Sequence, residues 1–373
     1  MIQVRWLTDL NQIRELGDRY AALLDRGPDI GLFYRLGWLE RVWPFLCSRR
    51  RRRLAFLWAD RDGEPLGLFP LMLTHKGWLQ GGRRHLEWFG MDGSLVANRV
   101  PDLVIPDPDS REACIGAFIE HLHRHSDHWD SFELAMMPAH SPHVGILRAN
   151  WPALRVVDEP IHDYALELSE GFDAYIASRS AKFRKTIRRE TRRLDESGRS
   201  WSMHMTRAVD DRRWEDLKRI HTDRQHRVRR RRGKGRECYF EQARLASTFR
   251  NLLDWAAPDA VRHYWLEIDG QLEAFSLCFV NGKSLFYKLI GLSEAAEAFS
   301  ANYILTHYLI ERETREHATR WIRMLPGGNL YKERWATHHW PLVRLSADNT
   351  DRLVSRARCR WVHICRRWAK REP

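Results

Sequence analysis

The sequence predicts a mixed α/β fold, in which helices cover a mixed sheet, and predicts it twice, in two related lobes. Its 373 residues exceed the usual size of one hydrophobic core, so two domains are expected. The same hairpin pattern occurs once in each half of the chain. Strands alternate with helices around each hairpin, which is typical of a sheet covered by helices.

The repeated unit is a β-hairpin with an Asp-Gly turn between two apolar strands. Such a turn is the strongest short-range hairpin signal. At one constant offset, Trp58 matches Trp265, Asp62 and Gly63 match Asp269 and Gly270, and the small residue Gly67 matches Ala274. Trp, turn and small residue in one register indicate a duplicated unit.

Further elements are predicted in the same order in both lobes. The first lobe has a helix over 38–46, a strand near 103–105, a helix over 111–125 and a strand over 131–136; the second has a helix over 239–255, a strand over 284–290, a helix over 302–316 and a strand over 321–325. The lobe boundary is predicted at 158–163, where Pro160 interrupts regular structure. The predicted domains are 1–160, 161–350 and a C-terminal helix over 351–373.

Basic residues are concentrated in three segments of a chain with net charge +13. Residues 182–193 predict a helix docked by a narrow apolar stripe, and its Arg184, Arg188 and Arg189 are predicted to bind phosphate; a solvated face is the alternative. Residues 224–236 predict a mobile basic loop that acts as a lid. Residues 351–373 predict a basic amphipathic helix, which either packs on the second lobe or contacts the membrane surface.

Several classes of protein are excluded. No apolar stretch is long enough for a membrane span, and the N-terminus lacks the pattern of a secretory signal, so a cytoplasmic protein is expected, with peripheral contact to the inner membrane as an option. The six cysteines are scattered, without metal or redox spacing. Residues His121, His123 and His125 spread around a predicted helix, with His128 beyond them, so no metal site is predicted.

The chain resembles the CelD-type and Fem-like branch of the GNAT acyltransferase superfamily, whose members carry two tandem GNAT-like domains. The matching stretches are 33–39, 67–71 and 86–90 in the first lobe and 182–194, the turn at 269–270 and 327–335 in the second. Their order and spacing together carry the resemblance.

The resemblance implies that two neighbouring strands of the second lobe, 284–290 and 321–325, diverge and admit the acyl donor. Donor pyrophosphate is then expected at the start of the next helix, where free backbone N–H groups and the helix dipole attract anions. The predicted donor-binding residues are Tyr287, Ser300, Ala301, Asn302 and Tyr303.

Tyr331 and Lys332 follow the glycine turn after the last of these strands and match the family motif. They are predicted to be catalytic, Tyr331 as a proton donor and Lys332 as a group that stabilises the oxyanion or binds substrate. The alternative is a core tyrosine and a solvated lysine.

The predicted activity is transfer of an acyl group from acyl-CoA, such as acetyl-CoA, to an amine of a small molecule or of a cell-envelope or polysaccharide precursor. One alternative is an aminoacyl-tRNA-dependent transferase of the Fem-like type, since tRNA would suit the basic helix. Another is a non-catalytic protein that binds RNA or membrane. It is suggested by Ser300 and Ala301, which replace the Pro-Gly of many relatives, and by Arg323, which replaces an acid.

Overall fold

The computed structural model describes residues 1–49, 51–77, 82–91, 100–232, 238–327, 330–350, 355–357 and 360–361. The chain forms two compact units, and the mixed α/β fold is confirmed in each. The first unit comprises Met1–Asp163 together with the chain from Trp340 onward, and the second comprises Tyr164–His339.

The first unit contains two groups of paired strands. Its elements in chain order are β1 (Gln3–Leu7), α1 (Leu10–Leu16), α2 (Asp18–Arg26), α3 (Leu36–Arg49), β2 (Arg52–Leu54), β3 (Phe56–Arg61), β4 (Glu64–Phe69), β5 (Leu71–His75), β6 (Arg84–Trp88), α4 (Arg111–Arg124), β7 (Ser131–Pro138), α5 (Pro142–Asn150) and the first part of β8 (Arg155–Glu167). Strands β1, β3 and β4 pair in that order, whereas β2, β5, β6 and β7 form a second series in which only the β6–β7 pair is parallel.

The second unit has one series of strands between two layers of helices. Its elements are the end of β8, α6 (Gly171–Ser178), α7 (Ala181–Asp195), β9 (Trp201–Thr206), α8 (Asp211–Arg232), α9 (Ala243–Ala256), β10 (Val261–Ile268), β11 (Gln271–Asn281), β12 (Ser284–Leu292), α10 (Glu294–Ala298), α11 (Ala301–His317), β13 (Trp321–Arg323) and α12 (Leu330–Trp335). The strand order is β9, β10, β11, β12, β13, β8. Helices α6, α7 and α11 share one apolar core over these strands.

The two hairpins, β3–β4 and β10–β11, are equivalent in detail. In each, the residue after the Trp is paired with the matched small residue, and a bulge follows at the next position. In each, the Trp indole donates to the carboxylate two residues later, at 2.8 Å in the first hairpin and 2.9 Å in the second. Both turn aspartates, Asp62 and Asp269, have a φ of 51°. The repeat predicted from the sequence is therefore present as a structural repeat.

One predicted strand of the first unit is wrong. Near 103–105 only an isolated bridge forms, between Val104 and Leu68. The strand parallel to β7 is instead β6, which the sequence pattern did not reveal. Pro70 separates β4 from β5, because a proline has no N–H to donate to a ladder.

Three other boundaries differ from the prediction. Strand β8 runs through Pro160, since the φ of proline is compatible with extended backbone, so no break occurs there. Strand β14 (His338–Asp348) pairs with β7 of the first unit, so the second unit ends near residue 339 instead of 350. The basic segment from Arg224 to Arg232 is the end of α8 and not a loop; residues 233–237 lie outside the described part of the chain.

The predicted C-terminal helix over 351–373 lies mostly outside the described residues. Only 355–357 and 360–361 are described, and they are helical. Among the helices that the structure describes, none combines the length and the hydropathy of a membrane span.

Candidate active site

Strands β12 and β13 of the second unit separate after a short parallel contact. Three residue pairs join them, from Ser284 opposite Trp321 to Phe286 opposite Arg323. Beyond this point β12 continues along β11, whereas the Met324 N–H donates to the Tyr164 carbonyl on β8 at 2.8 Å. A gap therefore opens between the second half of β12 and the chain that follows β13. These are the two strands in which the sequence resemblance implied divergence.

A β-bulge lies on β12 at the start of this gap. Tyr287 is opposite Cys278 and Leu289 is opposite Leu277, so Lys288 is an extra residue in the strand. Bulges interrupt the ladder locally and re-aim backbone groups, and they are frequent beside active sites. Tyr287, predicted to bind the donor, is buried and points toward α11.

Three hydroxyl groups form a chain beneath the gap. The Thr306 Oγ1 lies 2.5 Å from the Tyr331 hydroxyl and 3.5 Å from the Tyr287 hydroxyl, and Tyr331 also donates to the Asn302 carbonyl at 3.4 Å. Burial raises the pKa of both tyrosines well above the usual value, so both remain protonated at neutral pH. Each hydroxyl is therefore available as a hydrogen-bond donor, and neither is available as a phenolate base.

Thr306 was missed in the sequence, although a weak signal was present. It lies one helical turn after Asn302 on α11, among apolar residues, where a threonine needs a partner for its hydroxyl. Only the folded arrangement shows that the partners are Tyr287 and Tyr331.

Aromatic packing fixes the position of Tyr331 on α12. Its ring lies 5.4 Å from that of Tyr303 and 6.3 Å from that of Trp335, between ring centroids. Trp335 is fully buried, and its carbonyl accepts a 2.7 Å hydrogen bond from Tyr175. Because both neighbours of Tyr331 are themselves held, its hydroxyl has a defined direction.

Lys332 is partly buried, so it is not the solvated lysine of the alternative interpretation. Its Nζ donates to the Leu325 carbonyl at 2.7 Å and to the Pro326 carbonyl at 3.1 Å. Leu325 has a left-handed φ of 65°, which is costly for a branched residue. The ammonium group thus holds the turn from β13 to α12 at the mouth of the gap. The oxyanion role of Lys332 stays a prediction.

The start of α11 offers unpaired backbone donors. Ser300 precedes the helix with a left-handed φ of 50°. The Tyr303 N–H donates to the Ser300 carbonyl. Within the described residues, the N–H groups of Ala301 and Asn302 have no acceptor. The guanidinium of Arg334 donates to the Tyr303 hydroxyl at 3.0 Å, and so brings a positive charge to this end of the helix.

The three arginines predicted to bind anions on α7 differ in their partners. Arg184 donates to the carbonyls of Ala177 and Arg179, at the end of α6. Arg189 is paired at 2.5 Å with Glu190, a buried acid that the apolar-stripe pattern did not include. Arg188 is exposed and has no partner among the described residues. Of the three, only Arg188 has an uncommitted charge.

Helix α8 brings polar groups to β12 from the other layer. The Arg227 guanidinium donates to the Leu292 carbonyl at 2.6 Å, on the part of β12 beyond the bulge. His221 and Gln225 are buried one turn apart. Burial lowers the pKa of His221 to about 4, and the charge of Arg224 adds to this effect. His221 is therefore neutral at physiological pH. His221 was not predicted as part of the site, whereas Arg224, Gln225 and Arg227 lie in the segment that was predicted to be a lid.

Known proteins resemble part of the second unit in sequence and most of the chain in fold. The family model described as an acetyltransferase (GNAT) domain matches residues 181–333. No curated protein has significant sequence similarity to the chain.

Solved structures match the chain over most of its length. FemX has a TM-score of 0.61 and 11% identity, covering 93% of this chain and 97% of FemX. A tandem GNAT protein from the clavulanic acid biosynthesis pathway has a TM-score of 0.52 and 12% identity, covering 94% and 100%. L-PGS from Bacillus licheniformis has a TM-score of 0.51 and 13% identity, covering 88% and 96%. At such identities the likeness concerns the fold. Residues 181–333 match the family model of an acetyltransferase (GNAT) domain, and the chain resembles FemX and the tandem GNAT protein in fold.

Proposed function

We propose that the second unit transfers an acyl group from acyl-CoA, with acetyl-CoA as the simplest donor, to a primary amine. The observation that carries the proposal is the divergence of β12 from β13 after three residue pairs. A gap between two strands suits an extended thioester arm, because the backbone of β12 no longer pairs with β13 there and can bind the amides of the arm. The acceptor is proposed to be a small molecule or a cell-envelope or polysaccharide precursor.

The other parts of the site support the same donor. The free N–H groups of Ala301 and Asn302 and the dipole of α11 favour a pyrophosphate at the start of this helix. In the proposed reaction the amine nitrogen attacks the thioester carbonyl, the C–N bond forms and the C–S bond breaks. Tyr331 gives its proton to the departing sulfur, and water takes the proton that the amine loses. Lys332 keeps the turn beside the reacting carbonyl in place.

Calorimetry with acetyl-CoA tests the donor. We expect one molecule to bind per chain, and we expect Arg334→Glu to weaken binding about tenfold, because a negative charge then faces the pyrophosphate. Arg315→Glu is the matched control, since it makes the same charge change near the other end of α11. Equal affinities for the two variants would show that the donor does not lie at the start of this helix.

A second candidate is transfer of an aminoacyl group from tRNA. It is favoured by a line of exposed cations on α7, formed by Lys185, Arg188 and Arg192 at intervals of three and four residues. A phosphate backbone would match such a line. The similarity of the fold to FemX and to L-PGS makes the test worthwhile.

Binding of aminoacylated tRNA at several salt concentrations tests this candidate. We expect Arg188→Glu with Arg192→Glu to weaken binding and to reduce the salt dependence, by about 0.7 to 0.9 in the logarithmic slope for each phosphate that the protein no longer neutralises. Arg212→Glu, an exposed arginine on α8, is the control. A chain that binds acetyl-CoA but not tRNA supports the first proposal. A chain that binds aminoacylated tRNA but not acetyl-CoA supports the second. Absence of both supports the non-catalytic alternative.

A further inference from the structure

A cluster of metal-ligating side chains lies in the first unit, where α4 ends. The helix stops at Arg124, and a 3-10 turn follows over Ser126–His128. One ligand atom each from His125, Asp127 and His128 lies within 4.8 Å of the other two. In a continuous helix His125 and His128 would share a face, but Asp127 would point away from His125. The end of the helix brings them together.

The turn that carries these ligands is held from several sides. The His128 N–H donates to the His125 carbonyl at 3.0 Å. The Asn349 amide donates to the Ser126 carbonyl at 2.6 Å, and the Arg84 guanidinium donates to the Asp127 carbonyl. A fixed backbone lowers the entropy that is lost when the side chains converge on an ion.

The donor set has the chemistry of a transition-metal site. Two imidazoles and one carboxylate suit zinc and its neighbours in the first transition row better than magnesium or calcium. Two ligands of one zinc ion lie about 3.3 Å apart. The His128 Nε2 is already 3.6 Å from the Asp127 carboxylate, so small rotations of exposed side chains would complete the geometry.

The surrounding charges and rings are compatible with a cation. Arg84 and Arg124 are the nearby positive groups, and each is paired with an acid, Asp130 and Glu120 respectively. On the inner side, the His121 ring lies 4.4 Å from that of His125 between centroids. The buried His121 Nε2 has no hydrogen-bond partner among the described residues. His121 thus supports the His125 ring from within.

We propose that His125, Asp127 and His128 bind a divalent transition-metal ion of the zinc class, with water in the remaining coordination positions. The site belongs to the first unit and does not depend on the acyl-transfer proposal. The sequence pattern predicted no metal site because it treated these histidines as members of one helix and its immediate extension.

Titration of the full-length chain, prepared without a polyhistidine tag, tests the site. Calorimetry with Zn²⁺ is expected to show one ion bound per chain with micromolar affinity or better. Cobalt, used as a spectroscopic probe, is expected to give visible absorption bands. His125→Ala and His128→Ala are each expected to weaken Zn²⁺ binding at least about tenfold.

His123→Ala is the matched control, because His123 lies in the same segment but outside the group. It is expected to bind Zn²⁺ like the unmodified chain, and circular dichroism checks that all three variants are folded. Loss of binding in the first two variants alone supports the site. Absence of Zn²⁺ binding, or equal binding by all variants, would overturn it.

Discussion

Replacement of Tyr331 by Phe is expected to lower kcat for acyl transfer about 100-fold while leaving the affinity for acetyl-CoA unchanged. The phenylalanine keeps the ring contacts with Tyr303 and Trp335, so the fold is retained. It removes the proton proposed for the leaving thiolate, and loss of a general acid costs about 10²-fold or more. Because this proton is needed only in the transition state, kcat falls and donor binding does not.

Thiol release from acetyl-CoA, measured with the best acceptor from a panel of amines, gives kcat, and calorimetry gives the affinity. Tyr308→Phe is the control, because its hydroxyl accepts from Arg312 on the more exposed side of the same helix, α11. Full activity of Tyr331→Phe would assign Tyr331 to packing alone. It would leave the donor-binding part of the proposal untouched.

Asp130→Ala is expected to reduce the free energy of unfolding by about 3–5 kcal/mol at pH 7. The Asp130 carboxylate is fully buried and accepts from the Arg84 backbone N–H, the Arg84 guanidinium and the Ser355 hydroxyl. Its loss leaves the partly buried Arg84 guanidinium without a carboxylate partner, although its hydrogen bond to the Asp127 carbonyl remains. Urea unfolding measures the change, with the exposed Asp158→Ala as a control expected within about 0.5 kcal/mol of the unmodified chain.

The effect of Asp130→Ala should depend on pH. Burial alone would raise the pKa of Asp130, but the hydrogen bonds from Arg84 and Ser355 and the charge of Arg84 outweigh it and hold the pKa well below the usual range. Because the pKa of Asp130 is lower in the folded chain than in the unfolded chain, the ionised carboxylate stabilises the fold at pH values above the unfolded pKa of about 3.9. This stabilisation is lost as the pH falls below about 3.9. The difference between variant and unmodified chain should therefore narrow below about pH 4. A constant difference down to pH 2 would contradict the assignment.

The repeat was predictable because it depends on local chemistry. An Asp-Gly turn needs positive φ, an indole at a fixed distance from the turn donates to a carboxylate two residues later, and a small residue is paired with the residue after the Trp. These requirements act over a few residues, so they are visible in the chain itself. Strand β6 was missed for the opposite reason, since its place depends on parallel pairing with β7, more than forty positions away.

The candidate site was predictable in its location but not in its contacts. The sequence indicated the two diverging strands, the start of α11 and the pair Tyr331 and Lys332. It did not indicate that Thr306 joins two tyrosine hydroxyls, or that Lys332 holds the carbonyls of its own turn. A local pattern shows which residue types are near a strand end, but it does not show which distant donor satisfies which acceptor.

The sequence by itself determined the mixed α/β class, the duplication and the region where the donor is proposed to bind, because turns, hydrophobic periodicity and motif order are local properties. Only the tertiary structure decided how the charges are used. It pairs Arg189 with a buried Glu190, leaves Arg188 free among the described residues, and ends α4 so that His125 and His128 converge. Burial and pairing depend on neighbours that are remote in the chain, and the same arginine or histidine has a different role in each setting.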